Sequence, residues 1–309
     1  MRVFLTGATG YIGRVITEKL LASGHVVLGL ARSDESAEKL RAMGAEVHPG
    51  NLDDLDSLKA GAASAEAVIH TAISLDDFND LDTTFDKDER AVEAMLSALE
   101  GTDRPFLYTS GSGVLADTGP VAVDETVPVD EKGPVARRGA LEGAVLQASS
   151  RGIRTIVVRP GLVYGRGGSG FMQLFIGLAQ QARCGRTIGD GQNVCSVVHV
   201  DDLGDLFLLA LERGPASALY NAASEEEPSM LDMASAIGRA LGLKGEPSAW
   251  PVQEARQALG PFADGMAANK RISAGKAVSE LGWSPHHPGL VEDIETGSYA
   301  AAFKAAEGQ

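Results

Sequence analysis

Three glycines, Gly7, Gly10 and Gly13, follow the apolar run Val3-Phe4-Leu5-Thr6 in the order G-x-x-G-x-x-G and open an amphipathic stretch. This spacing lets the backbone turn tightly, approach a pyrophosphate closely and pack a helix against a strand. The anion rests on the helix N-terminus, whose unpaired N–H groups and dipole favour negative charge. Gly7, Thr9, Gly10, Tyr11 and Ile12 are therefore candidate contacts to a dinucleotide. The adenosine end is read at the close of the second apolar run, Leu30-Ala31-Arg32-Ser33. A carboxylate at that tip holds a ribose 2′-hydroxyl, and a cation accepts a 2′-phosphate. Arg32 and Ser33 stand there, with Asp34 and Glu35 only afterwards, so NADP(H) is expected over NAD(H).

Three further side chains could hold or move protons: Ser112 in Ser110-Gly111-Ser112-Gly113, Tyr164 after an apolar run, and His199 ahead of Asp201-Asp202. Each also has a structural alternative. Ser112 could cap a turn, Tyr164 could pack with one satisfied hydrogen bond, and His199 could be buried where a helix begins. Arg138 could reach a cofactor ribose or a substrate carboxylate, and its spacing to Glu142 also suits an i,i+4 ion pair. His286-His287 lie between two prolines without companions at metal-ligand spacing, so no metal is expected.

The elements that position these groups follow from periodicity. Apolar runs at 3–6, 26–30, 67–72, 106–109 and 155–158 read as buried strands. Between them Ile12, Val15, Ile16 and Leu20 share a helical face, as do Ala91, Met95, Leu96 and Leu99. Alternating strands and helices give an α/β fold, a Rossmann-type doubly wound parallel sheet. Beyond Arg159-Pro160-Gly161 the texture changes. Glycines 165, 167, 168 and 170 precede an amphipathic stretch at 171–182, and helices are expected at 230–241 and 273–281. Short strands at 194–198 and 218–221 return to the sheet. The expected division is a dinucleotide-binding domain over 1–163 and 194–223, with a smaller interleaved substrate lobe over 164–193 and 224–309.

Composition limits the partners. The 309 residues carry a formal net charge of -15, which repels nucleic acid and anionic lipid, and no basic block overrides it. Cys184 and Cys195 form no metal or redox motif. The glycine turn starts too early to leave room for a signal segment, and no apolar run approaches the roughly 20 residues of a membrane span. A cytoplasmic protein with a small-molecule substrate is expected.

The chain resembles the extended or atypical, epimerase/dehydratase-like branch of the short-chain dehydrogenase/reductase superfamily. The likeness runs nearly its whole length, through Thr6-Gly7-Ala8-Thr9-Gly10-Tyr11-Ile12-Gly13, Gly50-Asn51-Leu52-Asp53, Val68-Ile69-His70-Thr71-Ala72, Arg159-Pro160-Gly161-Leu162-Val163-Tyr164-Gly165, Val198-His199-Val200-Asp201-Asp202 and Glu280-Leu281-Gly282-Trp283. The resemblance implies that Asn51 and Leu52 flank the adenine. It also implies that His70, Thr71 and Ala72 pass beneath the cofactor, that Pro160, Gly161, Leu162 and Val163 line the nicotinamide, and that the protein is a homodimer.

The family's acid is a Tyr four residues before a Lys; counted back from Glu142, Pro134 and Arg138 hold those places. Pro has no proton to give and Arg stays protonated. The family's supporting Asn falls near Asp88, and its Ser at Gly111 or Ser112. Three readings remain: an NADPH-dependent oxidoreductase acting on a small carbonyl, imine or conjugated alkene; an epimerase, isomerase or dehydratase using the nucleotide transiently; and a non-catalytic NADP-binding sensor.

Overall fold

The computed structural model describes residues 1–73 and 81–307. The first half alternates as the periodicities require: β1 (Arg2–Thr6), α1 (Tyr11–Ala22), β2 (Val26–Ala31), α2 (Asp34–Met43), β3 (Glu46–Pro49), α3 (Leu55–Ala63), β4 (Ala67–His70), α4 (Leu81–Leu99), β5 (Pro105–Thr109), α5 (Ala136–Gln147) and β6 (Arg154–Pro160). The second half runs β7 (Leu162–Tyr164), α6 (Gly170–Ala182), β8 (Cys184–Ile188), β9 (Val197–His199), α7 (Val200–Arg213), β10 (Ala218–Ala222), α8 (Met230–Ala240) and β11 (Gly245–Trp250). Five helices complete it: α9 (Val252–Leu259), α10 (Phe262–Met266), α11 (Gly275–Leu281), α12 (Leu290–Glu295) and α13 (Ser298–Glu307).

Seven strands form one parallel sheet in the order β10-β6-β5-β4-β1-β2-β3. The chain winds outward from β1 to β3, then crosses back to β4 and winds the other way. This makes the carboxyl ends of β1 and β4 the switch point where such sheets open a crevice for ligand. Helices cover both faces, so alternate strand residues enter different cores. Val3, Leu5, Ile69 and Leu107 pack with α1 and α7, whereas Phe4, Val68, Phe106 and Tyr108 pack with α3, α4 and α5. Burial on both faces explains why these strands read as unbroken apolar runs.

β3 escapes periodicity because it is a short edge strand, Glu46-Val47-His48-Pro49, paired only to β2. The expected return of 194–198 to the sheet is corrected. β9 starts at Val197 and pairs with β7, Leu162 against Val197 and Tyr164 against His199, in a separate two-stranded sheet. Gly161 allows this: a Cβ there would lie 2.1 Å from the Ser196 carbonyl oxygen, and Leu162 N donates to that oxygen at 2.8 Å. β10 joins the central sheet as expected, beside β6. A third core gathers Tyr164, Met172, Phe175, Met233, Ile237, Leu290 and Tyr299 from the second half. Among the described residues no helix is long and apolar enough to cross a membrane.

Candidate active site

The glycine turn joins β1 to α1 at the switch point. Gly7 has φ +72, and a Cβ there would lie 2.7 Å from Thr71 Oγ1 and 2.8 Å from Ala72 N. Thr71 is fixed by its own hydroxyl, which donates to the Thr6 carbonyl at 2.9 Å. A Cβ on Gly13 would lie 2.1 Å from the Gly7 carbonyl oxygen, so helix and turn are in backbone contact. Gly10 begins α1 without a side-chain cap, and the first turn holds no acid. Among the described residues no side chain caps the N–H groups of this first turn, which makes it a cradle suited to a diphosphate. Thr9, Tyr11 and Ile12 border this turn. Tyr11 is tied elsewhere, donating its phenol to the Gly165 carbonyl at 2.9 Å, and burial pushes its pKa up.

At the far end of the cradle Arg32 is exposed just past β2. Ser33 instead caps α2, its hydroxyl accepting from Ser36 N at 3.2 Å, and Glu35 turns away to Lys39 at 2.7 Å. Asn51 shapes its own loop by accepting from Asp53 N and Asp54 N, while Leu52 packs on the α3-side core. Pro160 closes β6, and Val163 faces the α1-side core.

A row of polar residues crosses the carboxyl ends of three strands. Strand register sets Thr6 beside His70 and His70 beside Tyr108. Asp88 of α4 joins them: its Oδ1 lies 2.7 Å from His70 Nε2, and its Oδ2 accepts from the Tyr108 hydroxyl at 2.9 Å. Burial alone would raise the Asp88 carboxyl, but His70, with Arg138 and Tyr108, holds it below the usual carboxylate range. Nε2–H of His70 therefore donates to Asp88, and Nδ1 accepts from the Thr6 hydroxyl at 2.6 Å in the neutral ring.

Arg138 closes the row from α5. Its Nη2 donates to the Thr109 carbonyl, its guanidinium lies 5.5 Å from the Tyr108 ring centroid, and its Nη1 is 3.8 Å from Asp88 Oδ2. The i,i+4 pairing with Glu142 does not form. Glu142 is taken by Arg159 of β6, which donates to both carboxylate oxygens, and both side chains are buried. Three buried polar atoms at this point have no hydrogen-bond partner among the described residues: Arg138 Nη1, Thr109 Oγ1 and Ser110 Oγ. Leaving such groups unpaired costs about 1–3 kcal/mol each. Ser112, in the short turn that follows, is also buried. Thr6, Tyr108, Thr109 and Ser110 were not singled out from sequence, although each closes or directly follows an apolar run.

Tyr164 and His199 come together elsewhere, among groups already bonded. The Tyr164 hydroxyl donates to the Pro288 carbonyl at 2.7 Å, and burial raises its pKa. His199 caps α7, its Nδ1 accepting from Asp201 N at 3.2 Å, and its ring stacks on His287 with centroids 4.4 Å apart. His287 Nδ1 donates to Asp202 Oδ1 at 2.7 Å. The expectation that His286 and His287 lack companions is corrected, since His199, Asp201 and His287 bring ligand atoms within 4.8 Å of one another, as do Asp202, His286 and His287. The His199 and His287 rings, however, are 4° from parallel. In-plane lone pairs on stacked rings do not converge on one ion.

A family model for the NAD dependent epimerase/dehydratase family matches residues 3–223. The chain belongs to this family and is an NAD(P)-dependent enzyme of oxidoreductase type. An uncharacterized protein of Schizosaccharomyces pombe is 36% identical over 306 residues, covering 97% of this chain and 100% of the relative. A Stigmatella aurantiaca 4-hydroxy-2-methyl-3-oxo-4-farnesyl-3,4-dihydroquinoline-1-oxide ketoreductase is 32% identical, covering 84% of this chain and 78% of the relative. The fold matches the Thermotoga maritima UDP-glucose 4-epimerase with a TM-score of 0.81 at 20% identity, covering 99% of this chain and 100% of that one.

Proposed function

We propose that this enzyme reduces a small organic substrate, most concretely a carbonyl compound, with NADPH. The carrying observation is that the glycine cradle is intact while Pro134 and Arg138 stand where the family has its proton-donating Tyr and its Lys. The bound nicotinamide supplies the hydride, so the protein's task is to position and to stabilise charge. The N-terminus of α1, with Gly7, Thr9, Gly10, Tyr11 and Ile12, would hold the diphosphate. The exposed Arg32, with no acid at the β2 tip and Glu35 turned to Lys39, suits a 2′-phosphate. Asn51 and Leu52 would flank the adenine, and Thr71, Ala72 and the 160–163 segment would border the nicotinamide side. The ketoreductase name of one relative supports the direction of the reaction.

A second reading, epimerase or dehydratase chemistry with transient oxidation, is favoured by the family name. It requires a base to take a hydroxyl proton, and Pro134 cannot serve. Following NADPH and NADH consumption against panels of ketones, imines and enones tests the proposal. Faster oxidation of NADPH with at least one carbonyl is expected; substrate conversion without net cofactor consumption would establish the second reading instead.

A further inference from the structure

We propose that Arg138 is a catalytic residue, a fixed cation that holds the developing oxyanion of the substrate in place of the missing acid, and that Asp88 and Tyr108 are its positioning residues. The inference rests on the reductase reading above. The guanidinium is anchored on one side, with Nη2 bonded to the Thr109 carbonyl and its plane near the Tyr108 ring. Asp88 sits 3.8 Å from Nη1 but has its oxygens engaged by His70 and Tyr108, so it balances the charge without saturating the donor. Nη1, Thr109 Oγ1 and Ser110 Oγ are buried donors left without partners among the described residues. A buried cation with an unpaired N–H, held beside two residues whose hydroxyls are also unpaired, suits a ligand oxygen carrying negative charge.

In the proposed step a bound reduced nicotinamide would supply hydride to the carbonyl carbon, forming the C–H bond as the C=O π pair moves to oxygen. Arg138 Nη1 would hold the resulting alkoxide until it takes a proton from water, leaving hydroxide, and the cofactor would leave oxidised. Arg138 serves only as a hydrogen-bond donor in this step and transfers no proton. A reductase built this way shows no alkaline limb from a phenol, whereas one that uses a Tyr acid does.

The test uses Arg138→Met and Arg138→Lys. Turnover with the best panel ketone should fall about 100- to 1,000-fold in kcat for Arg138→Met, as for loss of one oxyanion donor, with less loss for Arg138→Lys. The dissociation constant for NADPH, read by its fluorescence, should stay within about threefold in both variants, which also shows that they fold. Wild-type kcat should be flat from about pH 6 to about 10. A binding readout needs no turnover: acetate, a probe of an oxyanion site, is titrated into the NADP-bound protein. Its affinity should drop about tenfold or more in Arg138→Met. Unchanged acetate binding overturns the proposal. So does a rise in the NADPH dissociation constant with kcat retained, which would make Arg138 a ribose contact. If no panel compound is reduced but acetate binding depends on Arg138, the reductase reading fails while the oxyanion site stands.

Discussion

Two polar clusters in this molecule contain the same kinds of side chain and differ in what their donors and acceptors are doing. Around β7 and β9, Tyr164, His199, His287 and Asp202 are bonded to one another or to backbone. At the carboxyl ends of β1, β4 and β5, Thr6, His70, Asp88 and Tyr108 are bonded likewise, yet Arg138, Thr109 and Ser110 end the row with open valences. Residue type does not separate these two clusters; unsatisfied capacity does. The second cluster also adjoins the glycine turn through Thr6, the residue before Gly7.

The largest effect that would break this contrast comes from Gly13→Val. Its Cβ would lie 2.1 Å from the Gly7 carbonyl, so the turn must move and the diphosphate cradle with it. NADPH titration should detect no binding; wild-type affinity would mean that this turn does not hold the diphosphate. Next, Asp88→Ala leaves Arg138 and His70 without their carboxylate. Removing one partner of a buried charge pair costs about 3–5 kcal/mol, read as a lower urea midpoint. A loss under about 1 kcal/mol would mean that the row is not what holds Arg138.

The glycine turn and the alternating strands were legible because each signal is local: a spacing or a run of apolar residues. The polar row was not, because it is assembled by register. Thr6 and His70 lie 64 positions apart and meet only because β1 and β4 pair in parallel. A trace existed, since Thr6, His70 and Tyr108 are the polar-tipped residues at or next to the ends of otherwise apolar runs. For Arg138 the short-range rule that offers Glu142 as a partner is overridden by Arg159, brought in by β6. The same failure put residues 194–198 into the wrong sheet, since only the Gly161 approach tells that β9 pairs with β7.

A smaller effect sharpens the far edge of the open region. Arg32 faces solvent beyond β2, so Arg32→Glu should leave NADH binding intact and weaken NADPH about 10- to 100-fold, the value of a charge-assisted bond. Equal losses for both cofactors would show that the cation does not read a 2′-phosphate. On the satisfied side, Tyr164→Phe removes one bond to the Pro288 carbonyl and should cost about 1 kcal/mol of stability while kcat/KM holds within about twofold. A fall in kcat much beyond that would move Tyr164 into the chemistry.

The smallest effect is a pH dependence confined to the satisfied cluster. Burial lowers the His199 pKa from 6.5, and the neighbouring His287 adds to it, against the opposing pull of Asp201, Asp293 and Asp202. The unfolded chain therefore takes up a proton at His199 before the folded protein does. This contribution to stability is fully present above about pH 6.5 and is lost as pH falls toward the depressed folded value. Urea midpoints taken at about pH 7.5 and about pH 5.5 should fall with acid in the wild type and fall less in His199→Gln, whose amide oxygen can still cap α7. Equal slopes would mean that His199 titrates as freely as in the unfolded chain. The cluster would then be less tightly held than its bonding implies, and its contrast with the Arg138 row would weaken.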